Sequence, residues 1–411
     1  VRHDIHDYES KLRREWIKIL NSNLPQESKE VIGKFKRDLE VEGLSSARIL
    51  RYLVILRMAN EKFLQKPLSL WDEEDIKAVM VKIQEKVRTG EYTKNTAYEF
   101  RKTFRKFFKW LHGEEWKGLR VLRGSVKKRN KPDVLTEEEI LKMIEVAGNL
   151  RDKALIAVGY EGGFRIGELS NIRIGDVSWV VDSSGTLKAR VKVSGKTGER
   201  VVPIVMAAQY LKRWLEVHPR KDELQAYVFC SLSLRKLGEP LEYQTFRKII
   251  QETAKKAGIK KRVHPHILRH SRATVLANFL TEAQMCEYFG WIQGSDMPAI
   301  YVHLSGRDID NAIDAVYGIG EGNKQDVEAK PKKCPRCGYL NAPTDFYCGR
   351  CALILDESKR VELEMEEMRF MKEIMEIVDS ETFRKAREMV ELVERMRSNP
   401  ELFNFLLQVK D

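Results

Sequence analysis

The sequence has no apolar run long enough to cross a bilayer, and its start lacks the short hydrophobic segment of a secretory signal. No membrane partner is expected, and the expected compartment is the cytoplasm. Cysteine is scarce outside one cluster: of six, four fall between Cys334 and Cys351, while Cys230 and Cys286 stand alone. That excludes the disulfide framework of a secreted scaffold and suits a metal site in a reducing compartment. No internal repeat of long period is present, so arrays and solenoids are excluded too. At 411 residues the chain exceeds one compact core, and two or three domains are expected.

What is present is positive charge, unevenly placed. The formal net charge is +12. Lys94 to Lys131 holds 13 Lys/Arg against 3 Asp/Glu, whereas Ala352 to Asp411 holds 10 against 15. The tail is thus −5 and the rest of the chain +17. A basic body with an acidic tail points to a polyanion met by the body alone, nucleic acid being the obvious candidate.

Residues from about Pro25 to His112 read as helical. Gly43-Leu44-Ser45 is a stop and restart, with Ser45 as N-cap of the run Ala47–Phe63. From Thr96 to Leu111, Phe100, Phe104, Phe107, Phe108 and Leu111 recur at helical spacing, with Lys102, Arg105, Lys106 and Lys109 between them. One face can pack while the other offers a basic stripe to phosphates. The organisation expected is an N-terminal helical extension (1–24), a helical domain (25–123), a basic linker (124–133), a second domain (134–317), a polar linker (318–330), a cysteine module (331–355) and a helical tail (356–411). Thr136 and Glu139 form a capping box that opens the second domain. Its one clear β segment alternates over Leu187–Val193, turns at Ser194–Gly198 and returns over Arg200–Val205. The fold class is mainly α with a small antiparallel sheet.

Three constellations carry chemistry: Gly163-Phe164-Arg165-Ile166-Gly167-Glu168-Leu169, then His266-Ile267-Leu268-Arg269-His270, then Phe289-Gly290-Trp291 followed by Ile300-Tyr301-Val302-His303. Lys196 lies on the hairpin between the first two. Attack on a phosphodiester builds charge on its non-bridging oxygens, and two guanidiniums can clamp them with fixed forks, in place of a metal ion. A phenol is a weak nucleophile until its proton, with an ordinary pKa near ~10, is removed. A nearby imidazole can accept that proton, and a lysine can protonate the leaving 5′ oxygen. A covalent phosphotyrosine conserves the bond energy, so rejoining needs neither ATP nor metal. Read alone, Lys192 competes with Lys196, His264 with His266, and Tyr288 and Tyr317 with Tyr301.

The ordered set Arg165, Lys196, His266-x-x-Arg269, Trp291 and Tyr301 resembles the active site of tyrosine recombinases, the phage-integrase superfamily. The resemblance runs from about Glu30 to Tyr317, and the helices after Val41-Glu42-Gly43-Leu44-Ser45 resemble the family's core-binding domain. It implies a mixed α+β catalytic domain in which Arg165 and Arg269 bind the scissile phosphate. Lys196 is then the general acid, His266 the acid/base near the nucleophile, and Glu168 a buttress for the arginines. Tyr301 attacks to leave a 3′-phosphotyrosine. Trp291 stands where histidine is more frequent. An indole N–H only donates, so Trp291 positions the phosphate and cannot shuttle a proton. The implied partners are double-stranded DNA and further copies of the chain, a tetramer holding two sites. The same chemistry also serves type IB topoisomerases, and a ribbon-bearing DNA-binding regulator on a decayed scaffold is the non-enzymatic rival.

Cys334-Pro335-Arg336-Cys337 and Cys348-Gly349-Arg350-Cys351 are two knuckles on a short loop, suited to one structural zinc, with Gly338 and Gly349 supplying the tight turns. Such ribbons resemble those at the C-termini of some archaeal integrase-like proteins. Met365, Met368, Met371 and Met375 give the tail an adaptable face for assembly.

Overall fold

A computed structural model describes residues 4–124, 133–181, 186–195, 198–302, 330–378 and 381–398. The basic linker residues 125–132, Lys196, His303, Tyr317 and the polar linker up to residue 329 lie outside the described residues.

Five helices build the first cluster: α1 (Tyr8–Leu20), α2 (Gln26–Val41), α3 (Ser46–Lys62), α4 (Glu73–Arg88) and α5 (Lys94–His112). The stop at Gly43 is a Schellman turn. Gly43 takes φ +72, its amide bonds to the Glu40 carbonyl, and the Leu44 amide reaches back to Leu39. Ser45 is the N-cap of α3, without a side-chain capping bond. Phe100, Phe104, Phe107 and Phe108 of α5 are all buried, and Phe107 meets Phe35 of α2 edge to face at 5.2 Å. The basic side of α5 is partly engaged within the chain: Lys106 pairs with Glu42 at 2.7 Å and Lys109 with Glu114. Helix α1 packs against α3 in this cluster, but Ile5, just before it, is buried in the second one, and His6 lies 4.7 Å from the Tyr243 ring there.

The second cluster forms around α7 (Leu150–Glu161), in which every side chain from Ala154 to Glu161 is buried. It is enclosed by α6 (Glu137–Val146), α9 (Met206–Glu216), α10 (Tyr243–Lys256) and α11 (Pro265–Leu276), and the four-residue α8 (Ile166–Leu169) follows α7. The capping box at Thr136 and Glu139 is present. An antiparallel sheet of order β1-β2-β3 lies beside these helices, with β2 at Leu187–Gly195 and β3 at Gly198–Ile204. Strand β1 (Val177–Val181) was not foreseen: it is an edge strand whose Trp179, Val180 and Val181 are exposed, so its sequence lacks the alternation of a half-buried strand. A smaller cluster joins α11 to α12 (Glu282–Phe289) and α13 (Met297–Val302) and contains Phe289, Trp291 and Tyr301.

The cysteine module holds a two-stranded sheet, Lys332–Lys333 with Leu340–Asn341, and is docked on α9. Arg213 forks Asp345 at 2.7 and 2.5 Å, Tyr210 shares a hydrogen bond with Thr344 at 2.7 Å, and Gln209 donates to the Leu340 carbonyl at 2.9 Å. Ala342 enters the second core. The expectation for its turns needs correcting. Gly338 does take φ +71 after the first knuckle, but the matching position after the second is Ala352, at φ +56, and Gly349 is not among the left-handed residues. Two tail helices follow, Glu357–Val378 and Glu381–Ser398. All their described side chains are exposed, the four methionines included. No described helix is long and apolar enough to cross a membrane.

Candidate active site

Two glycine turns, at Gly163 and Gly290, present the carbonyls that aim the guanidiniums. After α7 the chain turns at Gly163, with φ +55, and a Cβ there would lie 2.4 Å from the Phe289 ring. Only glycine fits this position, and its carbonyl accepts Arg269 Nη1 at 2.7 Å. Arg165 follows as the N-cap of α8. Helix α12 ends at Gly290 in the left-handed region, and the Trp291 amide returns to the Cys286 carbonyl at 2.8 Å. This turn presents two carbonyls: Phe289 O accepts Arg269 Nη2 at 2.7 Å, and Gly290 O accepts Arg165 Nη2 at 2.9 Å.

Glu168 is 4% exposed and ties the arginines together. It accepts the Arg165 amide and Nη1, both at 2.9 Å, and both Nη atoms of Arg200, at 3.0 and 2.8 Å. Burial alone would raise its pKa, but the Arg200 fork and the Arg165 contacts outweigh it and hold the carboxyl at about 2. Arg200 also donates to the Tyr288 carbonyl at 2.8 Å. No motif marked Arg200. Its only signal was its place on the hairpin strand.

Arg269 is 5% exposed and has no direct carboxylate partner among the hydrogen bonds described for it. Its guanidinium lies 5.1 Å from the Phe289 ring and 5.5 Å from that of Trp291. Burial first, and the like charge of Arg165 second, push its pKa down to about 9, so it remains a cation at neutral pH.

Tyr301 is 2% exposed, stacked on Trp291 with ring centroids 5.3 Å apart and planes within 7°. Its hydroxyl meets His270 Nδ1 at 2.6 Å. The sequence reading gave His270 no role, although it directly follows Arg269. Burial, then His266 and His264, lower its pKa to about 4, so it is neutral at pH 7 and its Nδ1 can accept the phenol O–H. His266 lies one turn earlier on α11, 6.5 Å ring to ring from His270; its ring keeps access to solvent, but the protein packed around it and then the charge of Arg269 lower its pKa too.

The competing residues are separated by their surroundings. Tyr288 is committed elsewhere: its hydroxyl donates to the Glu161 carbonyl at 2.6 Å, and burial raises its pKa to about 12. Lys192 pairs across the hairpin with Glu199 at 2.9 Å. Lys196, between Gly195 and Gly198 in the sequence, lies outside the described residues. His264 is the N-cap of α11.

The four cysteines form a second centre. Their sulfurs all lie within 4.8 Å of one another, with Cys334–Cys351 and Cys337–Cys348 each at 3.5 Å. A tetrahedron of thiolates about 2.3 Å from zinc has edges of roughly 3.8 Å, so the donor set fits that ion.

Residues 133–307 match the model of the Phage integrase family. The chain is 31% identical over 290 residues to "Tyrosine recombinase XerD" of Staphylococcus aureus, a match covering 68% of this chain and 90% of that relative. The chain belongs to the tyrosine recombinases of the phage integrase family. As a tyrosine recombinase it is an enzyme of site-specific DNA recombination. "Tyrosine recombinase XerA" of Pyrococcus furiosus is 28% identical over 288 residues, covering 69% of this recombinase and 93% of that protein. Among solved structures, a lambda integrase dimer bound to a COC' core site shares the fold at TM-score 0.53 and 17% identity, covering 68% of this chain and 78% of that one. So does the XerH site-specific recombinase bound to palindromic difH, at 0.52 and 20%, covering 77% and 100%.

Proposed function

We propose that this recombinase cuts and rejoins DNA through a covalent bond from Tyr301, within its own chain, to the 3′ phosphate of the cleaved strand. The observation that carries the reading is buried positive charge beside that hydroxyl. Arg165 and Arg200 share the one carboxylate of Glu168, Arg269 is held by the carbonyls of Gly163 and Phe289, and the nearby His270 is neutral. A buried cation whose described partners are carbonyls and ring faces is costly without an anion, and a scissile phosphate supplies one.

In this reading Arg165 and Arg269 bind the non-bridging oxygens. Each guanidinium has five N–H donors and gives two to the groups named above, which leaves donors for phosphate. The Tyr301 oxygen attacks phosphorus, its proton passes to His266, the bond to the 5′ oxygen breaks, and Lys196 protonates that oxygen. Trp291 holds Tyr301 by stacking and can donate its N–H to phosphate. Neither metal nor ATP enters the chemical step.

The two helical clusters serve as the halves of a clamp on double-stranded DNA. A groove of about 640 Å³ on α3 and α5, lined by Arg48, Arg51 and Lys102, suits the phosphate backbone. The four thiols hold one structural zinc, and the tail assembles copies into a tetramer on two DNA sites. Deleting the residues after Leu355 and measuring mass with DNA bound tests the tail's role, and an unchanged assembly would remove it. Strand exchange between two marked duplexes tests the whole: it should occur with the native chain and vanish in Tyr301→Phe, whereas supercoil relaxation without exchange would point to a topoisomerase.

A further inference from the structure

We infer that His270 is a positioning residue for the nucleophile: its Nδ1 accepts the Tyr301 hydroxyl and fixes the phenol oxygen on the Arg269 side of the site. The inference rests on the recombinase reading and adds a residue to it.

Three observations support it. The contact is short, at 2.6 Å, between a ring nitrogen on α11 and a hydroxyl on α13. The tyrosine ring is already restrained from the other direction by Trp291, whose plane lies within 7° of its own. A stacked ring keeps freedom to slide and turn in its plane, and a bond at the hydroxyl removes it. Arg269, the residue before His270 on the same helix, is anchored to the carbonyls of Gly163 and Phe289. Adjacent residues of one helix therefore hold the phosphate-binding fork and the attacking oxygen, and their relative placement is set by the helix itself.

The neutral state of the imidazole agrees with this role. The groups around it are His264 at 6.4 Å and His266 at 6.5 Å ring to ring, with Arg269 and Tyr301, and the first three disfavour its protonation. A ring held at about 4 accepts a hydrogen bond but is a poor base for a phenol. Proton removal therefore belongs to another group, and His270 holds geometry. A misplacement of 1 Å at a reacting atom can cost about 100-fold in rate, so losing this restraint should be visible in the chemical step.

The test uses the full chain and a nicked suicide duplex carrying the sequence selected from a random library by binding to the native protein. Single-turnover adduct formation is measured at saturating protein for His270→Leu and His270→Asn. The Asn carbonyl oxygen replaces Nδ1 as acceptor but cannot take a proton. His270→Leu should slow adduct formation at least about tenfold with DNA affinity unchanged, and His270→Asn should recover to within about threefold of native. A native rate in His270→Leu, or His270→Asn no faster than His270→Leu, overturns the inference. Should the variants fail to fold, the imidazole ¹⁵N shift of His270 in the native chain decides. It should move on Tyr301→Phe, and an unmoved shift overturns the inference. A native chain that forms no adduct, with the ¹⁵N shift still responding to Tyr301→Phe, would instead count against the recombinase reading and leave the hydrogen bond standing.

Discussion

The Tyr301 centre gathers its groups from segments spread between Gly163 and Tyr301, whereas the cysteine centre closes between Cys334 and Cys351. In the first, protein groups satisfy one another: carbonyls of Gly163, Phe289 and Gly290 hold two guanidiniums, and Glu168 binds Arg165 and Arg200. In the second, four thiols face one another in an arrangement that fits a metal ion. One centre is shaped by long-range packing, and the other, on the reading proposed above, by a bound ion. They should fail in different ways.

The largest effect is expected at the proposed phosphate fork. Arg269→Lys keeps a cation but loses the planar pair of donors, and adduct formation should fall about 100-fold or more. A loss below about threefold would mean that charge alone suffices there. Glu168→Gln comes next. It leaves Arg200 buried without its carboxylate, and denaturant unfolding should show a loss of about 3 kcal/mol. The pH dependence has a definite sign. Because the folded carboxyl is held at about 2, its contribution is complete above the ordinary glutamate value and is lost as pH falls towards 2. The variant should lack that acid-side loss.

Metal removal separates the two centres directly. A chelator should expose the segment 331–355 to proteolysis, while adduct formation by the remainder changes less than about threefold. A collapse of both would show that docking through Arg213 and Asp345 makes them one unit. The smallest effect lies at Ala352, whose left-handed backbone is strained for a residue with a Cβ. Ala352→Gly should stabilise the loaded module by about 1 kcal/mol, read as metal affinity under competition.

The same contrast explains what was legible in the sequence. The cysteine pairs gave away their cluster because all four residues lie close together in the chain. The boxes around Arg165, Arg269 and Tyr301 were legible because they stand in the order of a known motif set, with Gly163 and Gly290 marking two of the turns near them. Arg200 and His270 were not, because their importance comes from partners across the fold: Glu168 in one case, Tyr301 in the other. Strand β1 was hidden by its exposed edge position, and the burial of Ile5 in the second core by a tie no local pattern announces. Gly349 drew attention as a glycine, yet the strained position fell on Ala352, since it is the backbone path after the knuckle that demands φ above zero.

The most direct test of the central claim is the identity of the residue that carries DNA. The native chain is trapped on the suicide duplex and digested with protease and nuclease, and the nucleotide-bearing peptide is sequenced by mass spectrometry. The account predicts a 3′-linked nucleotide on Tyr301, from the same protomer whose Arg269 binds that phosphate. A nucleotide on Tyr288, on Tyr317 or on no tyrosine would contradict it.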